Sequence, residues 1–441
     1  MKYLNDSSLL KLHFSNGMML LPFFRYEIMR SLSIRPSSSN NSEGNSSRIK
    51  WGKQFLSNIK HCRIWRKQIL HFSATELVML NEDGQPYNSL NGYYYKLMPN
   101  STMVIEDTTT PFTWRATSHC MHMSFINAYL IYLARLFAKF SLRVWKNKCR
   151  DLYEFQSKYP NLFDLNDIQL IDRSVSVYHF LIKLLLKRVS PRLVMINEAC
   201  YGGWHGIIVY TARQLGIKTV ELQHGFIGTN HIAYNSEVDI INDNEYKQYL
   251  PDEIWTFGAW WNSKINWNIT KRVVGNPDLN SHMVSYKDVQ IEQTFLVISQ
   301  FTVIDELKLF VCDLAEEYPC EDIVIRLHPI DNPHSYDDLL EKHSNVRLST
   351  GCNIHLDICR SSFVIGVYST CLYEAIAFNR NPFIIDCELS RLHVEPYLGV
   401  WVKTASEVDI YNKTISKVDV EYYWAQNFEQ RVTQFTNSIL A

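Results

Sequence analysis

The chain has 441 residues, 46% of them hydrophobic and 20% charged, with a formal net charge of −1. That composition belongs to a folded protein long enough for two cores, and it excludes intrinsic disorder and binding of the whole chain as a polycation or polyanion. The 25 tyrosines and 11 tryptophans suit either sugar and base stacking or plain core filling.

From the start of the chain, "MMLLPFF" (Met18–Phe24) is too short, and too far from a basic stretch, to act as a secretory signal. No apolar run reaches the ~18 residues that a membrane span needs. Ten cysteines form no CxxC pair, so reduced thiols in a cytoplasmic protein are expected. The histidines show no HxxxH pair with a carboxylate, and no metal set is expected. Residues 8–32 and 51–72 read as helical or mixed. Between them, the polar, low-complexity stretch 33–48 reads as a loop or insertion. Asp83-Gly84 and Asn91-Gly92 turns mark an irregular strand–loop–strand region before a strand at "TMVIED".

Residues 125–148 predict a helix that is apolar on most faces and carries Arg135, Lys139, Arg143, Lys146 and Lys148. Two readings stand open: a buried helix with a basic end, or a helix lying on a membrane surface, where long cations reach the headgroups. After it the pattern becomes regular. Helices are predicted at 176–190, 206–216, 305–318, 353–361 and 371–379. Strands are predicted at 192–199, 218–223, 252–258, 271–277, 294–300, 322–329, 363–369 and 382–386. Near-continuous Val/Ile/Leu strands alternating with helices mean parallel sheets buried on both faces. Two sheets are expected, one on each side of "VVGNPDLN", with Gly275-Asn276-Pro277 as a hinge. The expected division is a first α/β domain over 1–275, a second over 276–419, and a closing helix over 420–441 that packs back on the first domain.

Ligands of open parallel sheets bind beyond the carboxyl ends of the strands. The residues at those ends are Glu198, Gln223-His224-Gly225, Asn276-Pro277, Ser299-Gln300, His328-Pro329 and Ser369-Thr370. All are polar or small, and all are expected to face one cleft. Ser369 and Thr370 open a helix, where free N–H groups suit a phosphate; plain N-capping also accounts for them. Glu374, expected in the first turn of that helix, would complement its dipole or accept from a ribose hydroxyl. His328, with Arg326 two residues earlier on the same face, could donate to a leaving phosphate. His224 suits a general base near neutral pH, and Gly225 leaves room for a substrate. Glu198 is the competing base or the partner that orients His224. His205 and His231 are second-rank candidates.

In this order along the chain, "TVELQHGFIG", "RVVGNP", "RLHP" and "GVYSTCLYEA" resemble motifs of GT-B glycosyltransferases. They are most similar to the bacterial surface-polysaccharide enzymes that share His-Pro and Ser/Thr motifs with sialyltransferases and Kdo transferases. The resemblance implies an α/β fold of two Rossmann-like domains with parallel sheets facing a cleft, plus an N-terminal helical elaboration. It implies transfer of a sugar from a nucleotide-activated donor, with CMP-linked donors the first to consider, to a saccharide or lipid-linked acceptor. The donor would sit on Arg326, His328, Pro329, Ser369, Thr370, Glu374, Ser299, Gln300 and Asn276; the acceptor would lie near Gln223, Gly225, His205 and His231. One departure stands out: where those enzymes carry an acidic residue before glycine, this chain has His224. The resemblance implies no bound metal and no cofactor, the nucleotide sugar being a substrate, and capsule, O-antigen or lipopolysaccharide synthesis as the setting. Residues 125–148 would provide peripheral contact with the inner membrane. Nucleic acid is not expected as a partner, since no basic stripe with interleaved aromatics lies outside the 135–148 helix. A CDP-polyol phosphotransferase of the teichoic-acid type, a sugar-nucleotide epimerase and a non-catalytic scaffold share the architecture as alternatives.

Overall fold

The computed structural model describes residues 7–33, 66–74, 78–80, 86–107, 121–124, 126–141, 150–328, 331–351, 353–410 and 419–441. In chain order the first part comprises α1 (Leu21–Ser33), β1 (Ile69–Ala74), β2 (Val78–Leu80), β3 (Pro86–Asn88), α2 (Asn91–Leu97), β4 (Thr102–Asp107), β5 (Met121–Ser124), α3 (Ile126–Ser141), α4 (Arg150–Lys158), α5 (Leu165–Val189), β6 (Leu193–Ile196), α6 (Gly203–Gln214), β7 (Lys218–Leu222), α7 (Val238–Asn242), β8 (Glu253–Thr256), α8 (Ala259–Ser263) and β9 (Thr270–Val273). The second part comprises α9 (Pro277–Ser285), β10 (Gln293–Ile298), α10 (Ile304–Glu317), β11 (Ile323–Arg326), α11 (Asp337–Lys342), β12 (Val346–Leu348), α12 (Ile354–Arg360), β13 (Ser361–Gly366), α13 (Thr370–Ala377), β14 (Asn381–Ile385), α14 (Glu388–His393) and β15 (Val400–Val402). The chain closes with α15 (Val420–Tyr423) and α16 (Phe428–Leu440). All but the first residue of the polar stretch 33–48, and Pro329, lie outside the described residues.

Two parallel sheets carry the fold. Among the described residues, the first has seven strands in the order β5-β4-β1-β6-β7-β8-β9, and the second has six in the order β12-β11-β10-β13-β14-β15. Apolar strands such as Leu193–Ile196 are buried along their whole length, because helices cover both faces. This is a two-domain α/β architecture of the GT-B type. Each sheet reverses direction once. In the first, the chain grows outward from β1 to β5 and then returns to place β6 on the other side of β1. In the second, β13 returns beside β10 in the same way. Such reversals open a crevice at the strands' carboxyl ends. One crevice is therefore bordered by the residues after β6, the other by those after β10 and β13.

The main core is continuous between the sheets. Leu296, Val324, Val364, Tyr373 and Ile384 of the second part join the same apolar cluster as β6–β8. The opposite face of the second sheet packs separately, with Phe295, Val297, Leu307, Phe310 and Leu314. The C-terminal segment fastens the joint. Ala425 N–H donates to Phe257 O (2.8 Å), and Trp261 Nε1 donates to Tyr423 O (2.7 Å). Two glycines permit this crossing: a Cβ at Gly258 would stand 2.2 Å from Tyr423 O, and one at Gly275 would stand 2.2 Å from Ala425 O. α16 then rests on the first domain, with Phe428 edge-on to Tyr94 and Phe435 against Trp255.

Two sequence expectations need correction. Residues 69–72 were read within a helical or mixed stretch but begin β1, which pairs with both β4 and β6. The apolar-run signal fails there because His71 and Ser73 are fully buried polar residues inside the strand. The closing helix is two helices, because Asn427 turns left-handed (φ 62°) between them. Of the helix expected over 125–148, the described part is Ile126–Ser141, packed along α5.

Candidate active site

At the first crevice, Glu198 follows β6 with φ 60°, a left-handed backbone that a residue with a Cβ rarely adopts. Such strain persists only where neighbours enforce it, and it concentrates at functional sites. The turn presents the carboxylate to two imidazoles. Glu198 Oε1 lies 3.7 Å from His224 Nε2, and Oε2 lies 4.0 Å from His205 Nδ1, in the first turn of α6. Gln223 is fully buried: its Oε1 accepts from Phe257 N–H (2.8 Å) and its Nε2 donates to Gly225 O (2.8 Å). Its amide is thus committed to holding the loop that carries His224. Gly225 has a φ outside the left-handed range and open space where a Cβ would stand. Below the crevice, Asn91 Nδ2 donates to Asn197 Oδ1 (2.7 Å) and Ser73 Oγ (2.9 Å), joining the ends of β1 and β6.

Further titratable groups surround this pair. Burial pushes the Glu221 carboxyl up to about 7, although Cys200 N–H and Tyr234 OH donate to it at 2.8 Å each. Burial, and then the neighbouring His224 and His393, push His231 down to about 3. His231 Nδ1 accepts from Ala233 N–H (3.3 Å), so its Nε2 carries the proton and faces Tyr201 OH (3.2 Å). A neutral imidazole of such low basicity orients neighbours and does not abstract protons at neutral pH.

At the second crevice, Ser369 is the N-cap of α13, its Oγ accepting from Cys371 N–H (3.2 Å), and Thr370 is the first helical residue. Ser299, after β10, is almost fully buried. Its hydroxyl donates to Asp331 Oδ2 (2.5 Å) and shares a hydrogen bond with Tyr336 OH (2.5 Å). Asp331 Oδ2 also accepts from His328 N–H (2.9 Å), so one carboxylate shapes the loop after β11. Gln300 is half-buried at the same edge. Arg326 pairs with Asp357 (3.0 Å) and donates to Gly351 O. Asn276 is the N-cap of α9, accepting from Leu279 N–H (3.2 Å). Glu374 is the fifth residue of α13, so the expected first-turn complement to the dipole does not arise. Its Oε2 turns inward to His355 Nε2 (3.3 Å).

The loop after β7 meets the end of α14: Asn230 Nδ2 donates to Leu392 O (2.7 Å). Ring contacts lie on each side of this meeting point. Tyr201 lies 5.8 Å from His224 and 5.6 Å from His231, and His393 lies 4.9 Å from Tyr368, the residue before Ser369. Tyr201, Tyr368, His393 and Asp331 were not read from the sequence. None ends a predicted strand in a polar doublet, although Tyr368 stands inside the 363–369 strand expectation, Tyr201 three residues after Glu198 and Asp331 two residues after Pro329. Also unread was a group of three potential metal ligands, Asp278, His282 and His355.

No protein-family model and no curated protein sequence matches the chain. Solved structures do. The UDP-GlcNAc 2-epimerase of Methanocaldococcus jannaschii aligns at 10% identity and TM-score 0.48, covering 84% of this chain and 99% of that one. The Neisseria meningitidis UDP-GlcNAc 2-epimerase bound to UDP-GlcNAc aligns at 12% and 0.48, with the same coverages. The wall teichoic acid polymerase TagF aligns at 10% and 0.44, covering 89% and 93%. All three scores lie below 0.5.

Proposed function

We propose that the chain is a glycosyltransferase that moves a sugar from a nucleotide-activated donor to a saccharide or lipid-linked acceptor in surface-polysaccharide synthesis. The observation that carries this reading is the His224–Glu198 pair at one sheet reversal and the Ser369-capped helix at the other, with the loop after β7 reaching the second part through Asn230 on Leu392 O and Phe226 on Tyr373. In this reading His224 Nε2 accepts the proton of the acceptor hydroxyl, and Glu198 stabilises the imidazolium that forms. The nucleotide phosphate docks at the start of α13, where the helix dipole and the Thr370 hydroxyl offset the charge that develops as the glycosidic bond breaks. His328 lies on the neighbouring loop as a donor to the leaving phosphate. No metal is assigned to the transfer step.

Exposed Tyr132 and Phe137 on α3, beside exposed Arg135 and Lys139, support a peripheral membrane contact. No helix among the described residues is long and apolar enough to cross a membrane. Flotation with anionic vesicles tests the contact: a chain that stays at the bottom of the gradient lacks it.

The deciding experiment is a thermal-shift screen with CMP, CDP, UDP and GDP, followed by a nucleotide-sugar panel that begins with CMP-linked acids and includes CDP-glycerol. A ligand at one hundred times its Kd stabilises by about 2.7 kcal/mol. One nucleotide is expected to raise the Tm, with its sugar conjugate turned over. Turnover of CDP-glycerol alone would replace sugar transfer with polyol-phosphate transfer, and no response to any nucleotide would leave a scaffold.

A further inference from the structure

Asp278 and His282 stand one turn apart on α9, the helix that leads from the first sheet to the second. His355 opens α12 of the second domain. His282 Nδ1 and His355 Nδ1 are 3.0 Å apart. Asp278 Oδ2 lies 3.5 Å from the first of these nitrogens and 3.7 Å from the second. We infer that Asp278, His282 and His355 bind one divalent cation of borderline softness, Zn²⁺ fitting best, and that this ion pins the hinge helix to the second domain.

The geometry is that of shared ligation. A tetrahedral ion with bonds of about 2.0–2.1 Å sets its ligand atoms about 3.3 Å apart, and the three edges straddle that value. The two carboxylate–imidazole distances are long for hydrogen bonds. Asp278 and His355 are buried, at 5% and 4% exposure, where a carboxylate gains most from a cation. Nitrogen and oxygen donors together suit zinc better than calcium or magnesium.

The surroundings also match a metal centre. A ligating imidazole usually gives its other N–H to a carboxylate, and His355 Nε2 faces Glu374 Oε2 at 3.3 Å. Tyr93 OH donates to the other oxygen of Asp278 (3.4 Å). Asn353 caps α12 through its amide oxygen, which accepts from His355 N–H (2.8 Å), and presents Nδ2 to His282 Nε2 (2.9 Å). With the ion on His282 Nδ1, the ring proton sits on Nε2 and needs an acceptor, so loading turns an amide oxygen toward it. The competing arrangement without metal is a proton chain from Asn353 through His282 and His355 to Glu374. Sequence spacing hid the group because its ligands come from two helices, with His282 and His355 separated by 73 positions.

The test does not depend on the transfer reaction. The full chain is stripped with a chelator, then titrated with Zn²⁺ against a chromophoric competitor, and with Co²⁺ by visible absorption. One equivalent of Zn²⁺ and tetrahedral Co²⁺ bands are expected. His282→Gln and Asp278→Asn should each weaken uptake at least about tenfold, with circular dichroism confirming that each variant folds. Asn353→Asp keeps a capping oxygen and supplies an acceptor, so it should tighten binding. Absence of stoichiometric uptake by the wild-type chain would overturn the proposal and leave the proton chain in its place. Undiminished uptake by a folded His282→Gln/His355→Gln variant would overturn it equally, placing the ion elsewhere, for example at the exposed thiol of Cys320.

Discussion

The two crevices of this molecule are built from opposite materials. The one beside β6 and β7 gathers ionisable groups whose proton affinities the fold has moved: Glu221 is driven up to about 7 and His231 down to about 3, around the His224–Glu198 pair. The one beside β10 and β13 gathers hydroxyls, a helix start and charges that are already paired. Ser299 is tied to Asp331, Arg326 to Asp357, and Ser369 caps α13. A region that handles protons needs groups poised between states. A region that holds an anion needs fixed dipoles that do not change state. The contrast supports the proposed division, with proton transfer at the first sheet and phosphate binding at the second.

The sharpest way to break this contrast is His224→Ala. Loss of a positioned general base should lower turnover by about 10²–10⁴-fold, while the thermal shift with nucleotide stays unchanged. Full activity in this variant would remove the first crevice from the chemistry.

Glu221→Gln examines the tuning itself. A carboxyl raised from 4.5 to about 7 on folding contributes stability that is complete below pH 4.5 and lost as pH rises through 7. The loss amounts to about 3 kcal/mol for the wild type. Denaturant unfolding of the variant should lack this slope, so the gap between the two proteins should change steadily from pH 4.5 to 7 and then level off. Parallel curves would mean that Glu221 is not tuned.

His231 gives the opposite sign. Its affinity falls from 6.5 to about 3 on folding, so its contribution is complete above pH 6.5 and declines as pH drops toward 3. By pH 5 the cost is about 2 kcal/mol. His231→Gln should flatten the acid limb of the stability profile, and an unchanged limb would place the acid sensitivity at another group.

The smallest expected effect on the fold is that of Gly225→Ala. With open space at the Cβ position, stability should move by less than about 0.5 kcal/mol. A fall in turnover without a change in Tm would show that a substrate passes close to this backbone, whereas unaltered kinetics would mean that none does.

Much of the fold was legible because parallel strands covered on both faces must be apolar along their length. "LVMI" and "TFLVI" show this pattern, and the strands they predict stand where expected. β1 was not legible. It is an interior strand beside the sheet reversal, yet it carries buried His71 and Ser73, so its side chains answer to a polar network and not to a hydrophobic pattern. The candidate site was legible only where a strand ends in a polar residue, as at Glu198, His224, Ser299 and Ser369. Tyr201, Asp331 and His393 sit in turns or at a helix end, and their place depends on which loops meet.

By itself the sequence determined the alternation of strand and helix and the polar strand ends, because these follow from local periodicity. Only the tertiary structure decided which ends share a crevice, that Gln223 and Asn276 turn inward to hold backbone, and that Asp278 and His282 meet His355. Those outcomes depend on strand order and on the packing of distant helices, and the spacing of residues along one chain encodes neither.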